Sequence, residues 1–190
     1  MTPHLPGVEE TARQIVRGVL DQEPTLGRTR LVCVDGPAGS GKTTLADALV
    51  QVAGDADLVH MDDVYEGWSG LVAGMDRVAR DVVSPLREGH PGRYRRWDWH
   101  RSSHAEEHLV PPVDLLVLEG VGSGNAAYAD AITCLVWVQT PSDVRLDRGI
   151  ARDGEGLRGH WLAWAEQEDA MFAEHRTRDR ADVLVDGLSG

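Results

Sequence analysis

Val8, Ala12, Ile15, Val16 and Val19 recur at the three- and four-residue steps that gather side chains on one face of a helix, and Glu23, Pro24 and Gly27 end the pattern. Residues 31–34 then form an unbroken apolar run, the mark of a strand buried on both faces. Leu45, Ala46, Leu49, Val52 and Ala53 return to helical spacing. The pattern predicts further strands over residues 58–61, 113–118, 132–138 and 183–185, and helices over 71–83, 141–152 and 160–175. Ser84 and Pro85 are expected to break the helix over 71–83. Residues 89–112 are polar and aromatic, with a short strand expected near 94–99. Strands alternating with helices imply a five-stranded parallel sheet covered on both faces, a three-layer α/β fold. Its ligand belongs at the carboxyl ends of the strands.

A length of 190 residues fits one domain, 1–190, and a net charge of −12 disfavours surfaces that track nucleic acid or anionic lipid. No apolar run reaches the ~18 residues of a membrane span, and Met1, Thr2, Pro3 and His4 lack leader character, so a cytoplasmic protein acting on small molecules is expected. Lys42 is the sole lysine among 19 basic residues. A narrow phosphate cradle takes a point charge on a flexible stem and not a planar fork, which explains a lysine surviving at that position.

Gly36-Pro37-Ala38-Gly39-Ser40-Gly41-Lys42-Thr43 has the spacing of a phosphate-binding loop, with a buried strand before it and an amphipathic helix after it. Backbone N–H groups of Gly36, Ala38, Gly39, Ser40, Gly41 and Thr44, with the positive end of the helix, would hold phosphates. Lys42 would bridge the transferred group and Thr43 would ligate Mg²⁺, which makes ATP the default ligand. Asp62 and Asp63 close the second strand, where Asp62 is expected to take a hydroxyl proton or to hold a water on the metal. Glu119 closes the third strand, suited to ordering the metal's water shell or contacting substrate.

Thr140-Pro141-Ser142-Asp143 reads as a helix start with a capping hydroxyl. Arg145, Arg148 and Arg152 then fall within about 60° on that helix, either as a solvated face or as cationic clamps. Gly149 weakens the helix by ~1 kcal/mol, and with Gly154, Gly156 and Gly159 it points to a mobile lid near residues 148–160. Glu168 projects from an apolar stripe of Trp161, Trp164, Ala165, Met171 and Phe172, so it should meet an arginine from the lid or from Arg93, Arg95 or Arg96. Tyr65, Trp68, Trp97, Trp99, Arg96 and Asp98 suggest an acceptor pocket in residues 63–112, the tryptophans otherwise serving as core. His100, His104 and His108 have the four-residue spacing of a helical metal pair without accompanying cysteines. Cys33 and Cys134 read as inert, buried mid-strand groups.

The loop, the run His60-Met61-Asp62-Asp63-Val64-Tyr65, the strand ending in Glu119-Gly120, and Arg145-Leu146-Asp147-Arg148 with Arg152-Asp153 together resemble the uridine kinase branch of the P-loop kinases. The resemblance implies a P-loop NTPase fold with a small lid and an acceptor-binding insertion. It also implies ATP and Mg²⁺, a hydroxyl acceptor such as a nucleoside, Asp62 as base with Tyr65 as a substrate contact, and Arg148 and Arg152 over ATP. Val64 stands where that family usually has an aromatic residue, and the family's His-bearing base-recognition segment is not in register between Pro85 and Pro112. Asp35-Gly36-Pro37 also resembles cytidylate kinases, which act on monophosphates. A regulator that only hydrolyses or senses ATP is the alternative from another class.

Overall fold

The computed structural model describes residues 6–187; Met1 to His4, read above for leader character, lie outside it. The described residues form seven strands and seven α-helices. Five strands form one parallel sheet in the order β2-β5-β1-β6-β7: β1 (Arg30–Asp35), β2 (Ala56–His60), β5 (Leu115–Glu119), β6 (Cys134–Gln139) and β7 (Val183–Asp186). The three central strands are the ones whose sequence is continuously apolar, and they are buried almost throughout.

Alternation along each strand divides the core into two layers. Val32, Val34, Val117 and Val136 face α1 (Pro6–Leu20) and α2 (Lys42–Ala53), meeting Ala12, Val16 and Leu49. Leu31, Cys33, Leu118 and Leu135 face the opposite way, toward Leu71, Met75, Trp164 and Met171. Those residues come from α3 (Leu71–Val78) and α6 (Arg158–His175). The expected three-layer fold with a five-stranded parallel sheet is therefore the observed one. Among the described residues no helix is long and apolar enough to cross a membrane.

Three local expectations need correction. Ser84 and Pro85 do not end the helix that starts at Leu71: it widens into a π-turn over Ala79–Val83 and continues as α4 (Ser84–Arg87). Ser84 N–H reaches back five residues to the Ala79 carbonyl, and the wider turn leaves room for a proline ring that an α-helix would exclude. Residues 89–112 hold two strands and not one, β3 (Gly92–Asp98) and β4 (Ser103–Val110), paired as an antiparallel hairpin with an irregularity between Arg95 and Trp97. Thr140 does not cap α5 (Ser142–Asp153); its hydroxyl donates to the carbonyls of Ser40 and Gln139.

Gly149 also has a different meaning from the one its helix propensity suggests. It is buried within α5, and a Cβ there would come within 2.5 Å of the Trp161 ring. The residue is small because two helices touch at that point.

Candidate active site

The carboxyl ends of β1, β2, β5 and β6 open into one cleft of about 1530 Å³, and the phosphate loop forms its floor. The loop's carbonyls are taken up by donors. Lys42 Nζ donates to Pro37 at 2.9 Å, Arg145 Nη1 to Ala38 at 3.1 Å, Arg148 Nη1 to Gly39 at 3.4 Å and Thr140 Oγ1 to Ser40 at 3.1 Å. Gly39 adopts φ +78°, and a Cβ there would meet the Arg145 carbonyl at 2.8 Å, so both conformation and space call for glycine.

Among the described residues the amides of Gly39 and Gly41 find no acceptor, and the buried Ser40 hydroxyl is also unpartnered. Donors without acceptors at the start of a helix make an anion cradle, so the loop fits a polyphosphate. Lys42, nearly buried, lines the same cleft.

Asp35 was given no role from the sequence, yet it ties this end of the fold together. Its buried carboxylate accepts N–H bonds from Gly36 at 2.7 Å, Gly122 at 2.9 Å and Gly124 at 2.8 Å, tying the loop to the segment after β5. Burial outweighs those three bonds and lifts its pKa to about 6.

Asp62 lies on a 3₁₀ turn, Met61–Asp63, that leaves β2. It is open to solvent but walled by protein inside the cleft. Burial and the nearby Glu119 push its pKa upward, against the pull of Lys42, Arg152 and His60. Parallel pairing of β2 with β5 sets His60 beside Glu119, and His60 Nδ1 lies 2.8 Å from Glu119 Oε2. That bond raises the His60 pKa and anchors the carboxylate. Role assignment from the sequence had passed over His60; its partner became apparent only once the strand order was known. Thr43, Asp62 and Glu119 all line the cleft and offer the hard oxygen donors that suit Mg²⁺.

Indoles line part of the cleft. Trp68 stacks on His160, with centroids 5.3 Å apart, and meets Trp99, Trp161 and Trp164 edge-on at 5.5, 6.1 and 6.2 Å. Trp99 Nε1 donates to the Asp62 carbonyl at 2.9 Å, which pins the hairpin tip to the turn carrying the carboxylate. Among the described residues the indole N–H groups of Trp68 and Trp164 have no acceptor, although both residues line the cleft.

The other expected contacts differ in placement. Tyr65, expected at the substrate, borders the cleft but is buried in its wall: its ring packs on Trp164 at 5.0 Å and its hydroxyl donates to the Val121 carbonyl. Asp98 caps the hairpin turn by accepting N–H bonds from His100 and Arg101 at 3.0 and 2.9 Å, and it does not line the cleft. Arg96 does line the cleft, held by Glu106 through bonds of 2.6 and 3.2 Å. Arg152 is held by Asp153 at 2.7 and 3.0 Å, with its guanidinium 5.5 Å from the Trp161 ring centre. Arg148 lies against the carbonyls of Gly39 and Gly187.

His100, His104 and His108 are on the hairpin and not on a helix, so the four-residue spacing does not align them. His104 pairs with Glu66 and His108 with Glu106, both at 3.1 Å. Among the described residues no cluster of three or more His, Cys, Asp or Glu is arranged to hold a metal. Cys33 and Cys134 are buried in the sheet, where burial pushes the Cys134 thiol up to about 12 and Cys33 well above its usual value. Glu168 does meet an arginine, and it is the one from α5: Arg145, at 2.9 Å.

No family model and no curated protein matches this chain. Solved structures do. A possible uridine kinase from Bacillus stearothermophilus superposes with a TM-score of 0.70 at 18% identity, over 95% of this chain and 100% of that one. D-glycerate 3-kinase from Cryptococcus neoformans var. grubii superposes with a TM-score of 0.51 at 12% identity, over 97% of this chain and 94% of that one. The chain has the fold of the P-loop kinases.

Proposed function

We propose that the protein is an ATP-dependent kinase that transfers the γ-phosphoryl group to a hydroxyl of a small, uncharged acceptor, a nucleoside in the manner of a uridine kinase. The observation that carries this reading is a single cleft in which a lysine-bearing polyphosphate cradle faces a carboxylate of raised pKa. The kinases of shared fold agree with it.

In this reading the acceptor O–H gives its proton to Asp62 as its oxygen bonds to the γ-phosphorus. The bond from phosphorus to the β,γ-bridging oxygen breaks, and ADP leaves with that electron pair. Lys42, and Arg152 released from Asp153, balance charge on the transferring group. Thr43, with Asp62 or Glu119 through water, would hold Mg²⁺, which supplies charge neutralisation at the β- and γ-phosphates. The flat indole faces suit a planar or ring-shaped acceptor, and the unpartnered N–H groups of Trp68 and Trp164 suit its oxygen atoms.

The state of Arg96 favours an uncharged acceptor over a monophosphate. A phosphate on the acceptor needs a cation of its own, whereas Arg152 is assigned to the transferring group and Arg96 already carries Glu106. Acceptor-stimulated ADP release, measured across nucleosides, monophosphates and other alcohols, tests the reading. Uncharged alcohols should stimulate it. Stimulation by monophosphates alone, or ADP release indifferent to every acceptor, would overturn it. Asp62→Asn should lower turnover by about 10²-fold or more while ATP still binds.

A further inference from the structure

Behind the phosphate loop, a buried ion pair grips a single residue from both sides. Glu168 Oε2 accepts the Ala38 N–H at 2.8 Å, and Glu168 Oε1 accepts from Arg145 Nη1 at 2.9 Å. The same Nη1 donates to the Ala38 carbonyl at 3.1 Å, which closes a ring through both backbone groups of Ala38. Arg145 Nε donates to the Thr140 carbonyl at 3.1 Å, fixing the arginine to the chain ahead of α5. Glu168 is 1% exposed, and neither partner lines the cleft. A buried pair contributes little net stability compared with apolar side chains of similar volume, so stability alone does not account for one beneath a loop of this kind.

We propose that Arg145 and Glu168 are positioning residues for nucleotide binding. By holding both peptide groups of Ala38, they keep the neighbouring Gly39 and Gly41 amides turned into the cradle before a polyphosphate arrives, without touching it themselves. An open loop would otherwise have to be ordered at the moment of binding, at a cost in affinity. Because the two residues come from α5 and α6, the loop is braced by both helices that flank the expected lid. The proposal rests on reading the loop as a triphosphate cradle.

Calorimetric titration of the full chain with Mg-ATP and with inorganic tripolyphosphate, alongside thermal melting, tests it. Ala38 N–H and Arg145 Nη1 bond to different Glu168 oxygens, and Gln puts a donating NH2 in place of one of them, so Glu168→Gln should bind both ligands about tenfold more weakly, with the acceptor KM unchanged. The double variant Arg145→Met with Glu168→Met replaces the pair by apolar side chains, so its melting temperature should recover toward that of the unaltered protein while both affinities stay low. Folded Glu168→Gln within about twofold of the unaltered affinity would overturn the proposal, as would affinity that returns with stability in the double variant. Failure of the unaltered protein to bind either ligand is a different result: it removes the nucleotide reading itself, and this proposal with it.

Discussion

A carboxylate of raised proton affinity is a stronger general base, and burial and the Glu119 charge raise that of Asp62. If Asp62 takes the acceptor proton, turnover should fall on acidification, because the protonated acid cannot accept a proton, and a turnover profile with no acid limb would contradict this role. Asp35 is the second carboxylate with a pH signature. Its folded pKa is about 6 against an ordinary 3.8, so the native state holds its proton longer than the unfolded chain does. The stability this group contributes is complete below 3.8 and is lost as pH rises to about 6. Asp35→Asn should be less stable than the unaltered protein because one amide oxygen replaces two acceptors for three N–H groups, and that deficit should narrow by up to about 3 kcal/mol between pH 4 and 7. Denaturant melts of both proteins at each pH measure it.

Between elements, the contact that decides most is the one where α6 meets α5. Alanine in place of Gly149 would gain about 1 kcal/mol of helix propensity. The overlap of its methyl with the Trp161 ring at 2.5 Å is the larger effect, because an indole wedged between two helices cannot yield without shifting one of them. Gly149→Ala should thus destabilise by about 1–3 kcal/mol, and it should raise the acceptor KM because Trp161 belongs to the cleft wall. A melting temperature higher than that of the unaltered protein would mean that propensity wins and the contact is loose. The hairpin of β3 and β4 makes the corresponding link on the other side, through Trp99 and the Asp62 carbonyl. Trp99→Phe keeps a ring but loses that bond, and it should impair turnover more than ATP affinity in a steady-state comparison.

For the whole molecule, the sheet and its layers were legible because the central strands are apolar without interruption and the phosphate loop joins a strand to a helix. The places of Asp62, Lys42 and Thr43 in the cleft were legible for the same reason, because each follows closely on a strand of the sheet. Contacts across the sheet order were not legible. The pairing of His60 with Glu119 depends on β2 lying next to β5, and the three N–H bonds to Asp35 come partly from residues almost ninety positions away. Glu168 was an intermediate case. Its place on an apolar stripe required an arginine, whereas its hold on Ala38 depended on how α6 packs behind the loop. Asp98 shows the reverse error, since a residue placed among candidate site aromatics in sequence is used for a turn and does not line the cleft.

Of the chain's six tryptophans, five border the cleft, while Trp137 packs against Phe172 within the fold. Indole emission from this protein is therefore weighted toward a single compartment, and the stack of Trp68 on His160 provides a ring able to quench it. A Trp137→Phe variant would leave every remaining indole in the wall of the cleft. Candidate acceptors can then be ranked by intrinsic fluorescence without a label, a coupling enzyme or turnover.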